Sequence, residues 1–510
     1  MQTLKEITFK SSKDNDAKRE NANINGDTAM GTMLKYGSES AKSFYLNYLV
    51  EPRFSKAHQD GEIHIHDLDF YSLTMTCCQI DLIKLFKGGF STGNGFLREP
   101  NDIRSYSALA CIAIQANQND QHGGQSIPNF DYSMALGVRK TYRKLYMANL
   151  AKLLEFVKGE DCTEKAKELI ETIEKKHQFK IAMVRPDIDQ MVAEEVKDTF
   201  ALDDATTQKI MKETVNASYK ETRRATYQAM EALLCNLNTM HSRAGAQVPF
   251  SSINYGTDTS EEGRMVMDCL LDATEAGLGD GETPIFPIQI FKVKEGISYN
   301  PGDKNYDLFK KSLVVSGKRL FPNYSFIDAP FNLQYYKEGD YNTEIAYMGC
   351  RTRVIANVYD PTKEIVTGRG NLSFTSINLP RAAIKTRKYS AFIKEVDRLI
   401  DLVIDQLLER FYIQSKKKVY NFPFLMGQGV WLDSEKLKYD DEVGEIIKHG
   451  TLSIGFIGLA EALKVLTGHH HGESKEAQEM GLKIIGHMPK RCHEAAQKYK
   501  LNFSLLATPA

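Results

Sequence analysis

Along this chain short stretches with a two-residue apolar period alternate with long stretches of helical period, and that alternation limits the fold more than any other feature. Residues 62–67 alternate polar and apolar side chains, which places His64 and His66 on one face of a strand. Residues 285–291, 354–358 and 372–379 read as further strands bounded by Gly or Pro. Between them the spacing of Ile210, Met211, Val215, Tyr219, Met230, Leu233 and Leu234 predicts a helix over residues 203–240, opened by an Asp pair. Val396, Leu399, Ile400, Val403 and Leu407 predict a second within residues 392–411, and the alternating charges of residues 161–177 a solvated surface helix. Strands separated by long helices give an α/β architecture with the helices outside. Nothing repeats at a fixed period and no low-complexity linker divides the chain, so one large domain is expected.

At 42% hydrophobic, the 510 residues are ample for a large buried core. Basic residues number 65 and acidic ones 66, for a formal charge of -1, so no global field attracts nucleic acid or an anionic membrane. Small molecules and other proteins are the expected ligands. No apolar run approaches the roughly 18–20 residues that span a bilayer, and residues 1–16 lack the apolar stretch of a signal peptide, so a cytoplasmic location is expected. The eight cysteines, Cys77, Cys78, Cys111, Cys162, Cys235, Cys269, Cys350 and Cys492, never form C-x-x-C and are expected to be reduced.

Four segments carry polar groups that packing alone does not demand: residues 64–67 with Cys77 and Cys78 after them, 242–254, 348–351 and 370–378. Each follows or opens a strand, and in barrel-type α/β folds side chains from several strand ends converge on the active site. Cys350, between Gly349 and Arg351 in a loop, is the cysteine least explained by core packing and so the best candidate for a reactive sulfur. His64 and His66 are expected to form a hydrogen-bonded wall of a site, and no metal site is expected. Residues 277–281 do not make a phosphate cradle, because they end a helix and lead into a strand; Gly277 is a helix C-cap. Residues 119–128 join two helices through a polar, Gly-rich loop that either binds a nucleotide or makes a turn.

Taken together, residues 21–31, 64–67, 77–81, 89–95, 242–256, 348–351 and 370–381 resemble the anaerobic, class III ribonucleoside-triphosphate reductases, which are glycyl-radical enzymes. The resemblance implies a ten-stranded α/β barrel over residues 21–510, preceded by a short N-terminal remnant or linker at 1–20 without the ATP cone that many members carry. It implies anaerobic reduction of ribonucleoside triphosphates to deoxyribonucleoside triphosphates for DNA synthesis. Matched position by position, Cys350 is the thiyl residue and Cys77, rather than Cys78, the second active-site cysteine. Met348 and Asn371 match further site positions, and His64, His66, Ser251, Ser252 and Asn254 would bind substrate.

The resemblance also implies a homodimer with nucleotide effectors, ATP or dNTP, at the subunit interface. The corresponding stretch is about residues 91–136, with Asn119, Gln121 and Gln125 as candidate contacts. A radical-SAM activating enzyme would install the glycyl radical, and formate or a thioredoxin-like protein would supply electrons; Met348 and Asn371 favour formate. Family members place the radical glycine and a zinc site of two C-x-x-C pairs in a C-terminal segment. Neither follows Leu505, and Asn94 stands where the family commonly has His. A chain truncated there is expected to be inactive alone. Two rival expectations are a pyruvate formate-lyase-like glycyl-radical enzyme using Cys77 and Cys78 in relay, and a non-catalytic nucleotide-binding dimer fragment.

Overall fold

In the computed structural model, residues 2–9, 26–242, 247–349 and 352–508 are described. Cys350 and Arg351, the centre of the strongest sequence motif, lie outside them.

Two sheets carry the architecture. The first has five strands, all parallel, in the order β2 (Cys78–Gln79), β5 (Gln125–Ile127), β6 (Ser251–Tyr255), β7 (Ile288–Val293) and β8 (Asn323–Phe326). The second runs β1 (Ile63–Ile65), β11 (Asn371–Asn378), β12 (Thr451–Ile457) and β13 (Asn502–Ala507), with β1 antiparallel to β11 and the others parallel. Two short hairpins stand apart, β3 (Phe90–Ser91) with β4 (Phe96–Leu97) and β9 (Tyr347–Met348) with β10 (Thr352–Arg353). Parallel neighbours need crossover connections, and helices supply them. Glu261–Ala276 joins β6 to β7, and Tyr389–Ser415 lies between β11 and β12. These two sheets together hold nine strands among the described residues.

The sequence periods translate into packing. Asp203 caps the helix Asp204–Thr239 by accepting from the Thr206 amide at 2.8 Å, and Ile210, Met211, Met230, Leu233 and Leu234 are buried as the spacing requires. Tyr219 is exposed instead, because the middle of the buried face belongs to Thr214, Ser218, Thr222 and Thr226, small hydroxyl residues four apart. The helix Tyr389–Ser415 buries Val396, Leu399, Ile400, Val403 and Leu407, and Gly277 ends Glu261–Ala276 at φ +83. One continuous cluster of buried side chains extends from Tyr45 to Leu501.

Two expected elements differ. Residues 354–358 are not a strand; the extended pair is Thr352–Arg353, and beyond it the backbone carbonyls of Ile355 and Ala356 bond to Arg369 instead of a ladder. Residues 119–128 are not a surface connection. They contain β5, second in its sheet, and Gln121 and Gln125 are fully buried, each amide oxygen accepting from Asn117 Nδ2. Only Asn119 is exposed.

Candidate active site

The two sheets meet where the chain entering β2 runs beside the start of β11. Cys77 donates its amide to the Asn371 carbonyl at 3.2 Å, Gln79 to Arg369 at 2.8 Å, and Gly368 returns a bond to Gln79 at 2.8 Å. This approach needs a residue without a side chain: a Cβ on Gly370 falls 1.7 Å from the Cys77 carbonyl oxygen.

A β-bulge follows at once. Asn371 pairs with Thr451 and Ser373 with the very next residue, Leu452, so two steps on β11 match one on β12. The slip changes which side chains face inward, and Asn371 and Phe374 come to line the same cavity.

That cavity measures about 170 Å³ and brings Cys77, Met348, Gly349, Thr352, Asn371 and Phe374 together. The volume suits a sugar-sized group, being below the roughly 300–1,000 Å³ of clefts that hold a drug-sized ligand. Cys77, Met348 and Val354 form their own small buried cluster, whereas Cys78 belongs to the main core. Of the two adjacent thiols, Cys77 is therefore the one at the site. Burial pushes its thiol up to about 12, so it stays protonated near neutral pH.

Tyr347–Met348 pairs with Thr352–Arg353 as the hairpin β9–β10, with Met348 opposite Thr352 and Arg353 opposite Tyr347. Gly349, just after β9, has φ +58. Gly349 and Thr352, the described residues flanking Cys350 and Arg351, both line the cavity.

Two of the residues expected to touch substrate, Ser252 and Asn254, bond to this hairpin. Asn254 accepts from the Tyr347 amide at 2.8 Å and donates to its carbonyl at 3.0 Å, while Ser252 Oγ accepts from the Gly349 amide at 3.0 Å. Ser126 Oγ adds a bond to the Tyr347 carbonyl at 2.9 Å. Ser251 falls by strand alternation on the other face of β6, with Ile253 and Tyr255 of the main core.

The histidines lie beneath the cavity. The rings of His64 and His66 are 4.5 Å apart, as their shared strand face predicts, but His64 is exposed. His66 stacks on Phe374 at 3.8 Å, and its Nε2 is 2.7 Å from Ser376 Oγ, itself 2.6 Å from Thr508 Oγ1. Burial first, and then the neighbouring His64, lower the His66 ring to about 4, so it is neutral at neutral pH. Nearer the cavity, Ser453 Oγ donates to Asn371 Oδ1 at 3.2 Å and lies 2.9 Å from Ser504 Oγ. Ser376, Ser453, Ser504 and Thr508 escape the sequence reading, although Ser376 falls within a segment singled out for its polarity. Among the described residues no group of three or more His, Cys, Asp or Glu is arranged to hold a metal ion.

The family model for anaerobic ribonucleoside-triphosphate reductase matches residues 20–510. The chain belongs to that family. It is 26% identical to the anaerobic ribonucleoside-triphosphate reductase of Salmonella typhimurium over 477 residues, covering 92% of this chain and 58% of the relative. With that of Enterobacteria phage T4 it shares 27% over 472 residues, 91% of this chain and 66% of the relative. Its fold is that of the anaerobic ribonucleotide reductase of Thermotoga maritima. The TM-score is 0.61 to the structure with citrate in the active site, at 12% identity, covering 100% of this chain and 78% of that one. To the structure with dATP bound in the specificity site it is 0.60, at 12% identity, covering 99% and 72%. As a member of the anaerobic ribonucleoside-triphosphate reductase family the chain spans about three-fifths of the Salmonella relative. No helix among the described residues is long and apolar enough to cross a membrane.

Proposed function

We propose that this chain is the catalytic body of an anaerobic ribonucleoside-triphosphate reductase, with Cys350 as the thiyl residue and Cys77 as its partner thiol. One observation carries the reading: Cys77, Met348 and Asn371 share a cavity with the residues on either side of position 350. Cys78 packs in the main core, apart from the Cys77 cluster, which favours this reading over the adjacent-thiol relay of a pyruvate formate-lyase-like enzyme.

A glycyl radical, when present, supplies the one-electron oxidation of a thiol. The lining suits such a group: Phe250, Gly349 and Thr352 beside position 350 would receive it, and the aromatic and aliphatic walls at Phe250, Phe374 and Leu506 keep water out. A thiyl sulfur at Cys350 takes the hydrogen atom from C3′ of the ribose, forming S–H and a carbon radical. The 2′ hydroxyl then leaves as water, taking its extra proton from the Cys77 thiol, which burial keeps protonated. Two electrons and one proton at C2′ are needed to complete the reduction. Formate, oxidised to carbon dioxide, releases both in the reading that Met348 and Asn371 favour, a thioredoxin-like dithiol does so in the other on oxidation to its disulfide, and a solvent proton restores the Cys77 thiol. The C3′ hydrogen then returns from Cys350, restoring the thiyl. His66, neutral and bonded to Ser376, supports the floor of the cavity and is the second proton carrier in reach of this layer.

Nucleotide effectors are assigned to a different place from the loop expected in the sequence, since Gln121 and Gln125 are interior. A cleft of about 500 Å³ opens at the start of the helix Ile103–Asp120, against Phe130–Lys158 and Asp204–Thr239, and is lined by Arg104, Lys144 and Arg224. The three cations outnumber the two carboxylates of the same lining, Asp102 and Glu221, and suit a triphosphate, and the cleft begins inside the stretch that the resemblance gives to the dimer interface. A homodimer, with a radical-SAM enzyme as activator, completes the proposal.

The decisive experiment replaces Cys77 by Ser and Cys350 by Ser in the full-length, activated polypeptide. Each change should lower deoxynucleotide formation by about 100-fold or more while nucleotide binding persists. Retention of activity in either variant removes the assignment.

A further inference from the structure

The hairpin β9–β10 has little core of its own, yet its two feet are held by buried charges. On the entering side, Glu344 is buried and pairs with Lys292 of β7, which is fully buried, at 3.0 Å. The same carboxylate accepts from Thr257 Oγ1 at 2.6 Å and from Tyr132 at 3.1 Å. Thr257 is fixed in turn: the amides of Gly256, Thr257 and Asp258 all donate to Asp131 Oδ2, at 2.8, 3.0 and 3.0 Å. On the returning side stands Arg369, also fully buried. Its guanidinium donates to the carbonyls of Ile355 at 2.7 Å, Ala356 at 2.7 Å, Ile365 at 2.9 Å and His449 at 2.9 Å.

We propose that Glu344, through Lys292 and Thr257, and Arg369 are positioning residues that grip the paired strands β9 and β10 from both sides and so fix Gly349 and Thr352, the residues flanking position 350, beside Cys77. The inference rests on the reading of Cys350 as the reactive thiol. Its physical basis is cost: a buried ion pair or a buried guanidinium is expensive to desolvate, and replacing such groups by apolar ones is often neutral or stabilising. Stability therefore does not explain two of them at one loop. Geometry does, because each bond has a fixed direction and the planar fork of arginine holds two successive carbonyls at once. Reaction between two groups depends steeply on their relative placement, and a misplacement of about 1 Å costs on the order of 100-fold.

The test uses the 510-residue chain, reduced and then exposed to diamide, with the Cys77–Cys350 disulfide followed in time by peptide mass mapping. The variant Lys292→Met with Glu344→Gln removes both buried charges at similar volume. It should unfold at a midpoint close to the wild type and yet form the disulfide at least tenfold more slowly. Thr257→Val, which deletes one hydrogen bond to Glu344 at nearly unchanged volume, should slow it two- to fivefold. Equal rates in wild type and in either folded variant overturn the anchoring while leaving the catalytic assignment intact. A folded wild-type chain that forms no such disulfide overturns the pairing of positions 77 and 350, and both readings fall together.

Discussion

Cys77 and Asn371 are joined through their backbones, the amide of one donating to the carbonyl of the other at 3.2 Å, so the two residues cannot move into the cavity independently. The bond lies at the seam between the sheets, directly before the bulge that turns Asn371 inward. Alignment of the thiol is thus a property of the backbone.

Gly370→Ala should break that seam. The added methyl would sit 1.7 Å from the Cys77 carbonyl and 2.9 Å from Cys78 Cα, both backbone atoms with no rotamer to escape by. A loss of about 3 kcal/mol or more is expected from such overpacking, with Cys77 becoming open to iodoacetamide. Gly279→Ala, where an added Cβ meets nothing within 4 Å, serves as the control. Urea denaturation of the two variants decides the matter, and equal midpoints would contradict the account.

Asn254→Ala should loosen the hairpin without disturbing the barrel. The substitution leaves the Tyr347 amide without its acceptor and its carbonyl with one donor fewer. The expected cost is about 1–3 kcal/mol. Hydrogen exchange should accelerate at Tyr347 and Gly349 and stay unchanged in β6 and β7; uniform acceleration would point to global destabilisation instead.

His66 gives the fold a pH dependence of defined sign. Its pKa is about 4 in the folded chain, below an ordinary value of 6.5, so the unfolded chain takes up protons first as pH falls. This contribution is complete above pH 6.5 and is lost toward pH 4, with a slope of up to about 1.4 kcal/mol per pH unit. His58 and His64 are shifted in the same direction, by burial first, and add to the slope. His66→Gln should flatten, not abolish, the decline in urea midpoint across this window. A slope identical to wild type would show that His66 does not titrate as described.

Much of this was legible in the sequence, and what was not has a physical reason. The helices Asp204–Thr239 and Tyr389–Ser415 announce themselves because apolar residues recur at helical spacing, and the first also opens on a capping Asp203. Cys77, Met348 and Asn371 were found by motif, and the fold brings them to one cavity. The strand Gln125–Ile127 was hidden because two of its three side chains are polar; interior amides bonded to one another look like a surface loop when only composition is read. Composition likewise gave no hint that Ser252 and Asn254 bond to the hairpin backbone. Neither the bulge at Asn371 nor the anchoring by Lys292 and Arg369 leaves a local pattern, since each joins segments far apart in the chain.

The cleft at the start of the helix Ile103–Asp120 yields the last prediction. Arg104, Lys144 and Arg224 are all exposed, so reversing their charge should leave the fold intact. Near a triphosphate the change is large, because several anionic oxygens would lie within the screening length of about 8 Å at physiological salt. Arg224→Glu and Lys144→Glu should each weaken dATP binding at least tenfold, about 1.4 kcal/mol or more, in isothermal titration at low ionic strength. Added salt should narrow the difference, since it screens the lost attraction and the new repulsion alike. An affinity for dATP that neither reversal changes would place the effector elsewhere on the chain and free this cleft for another role.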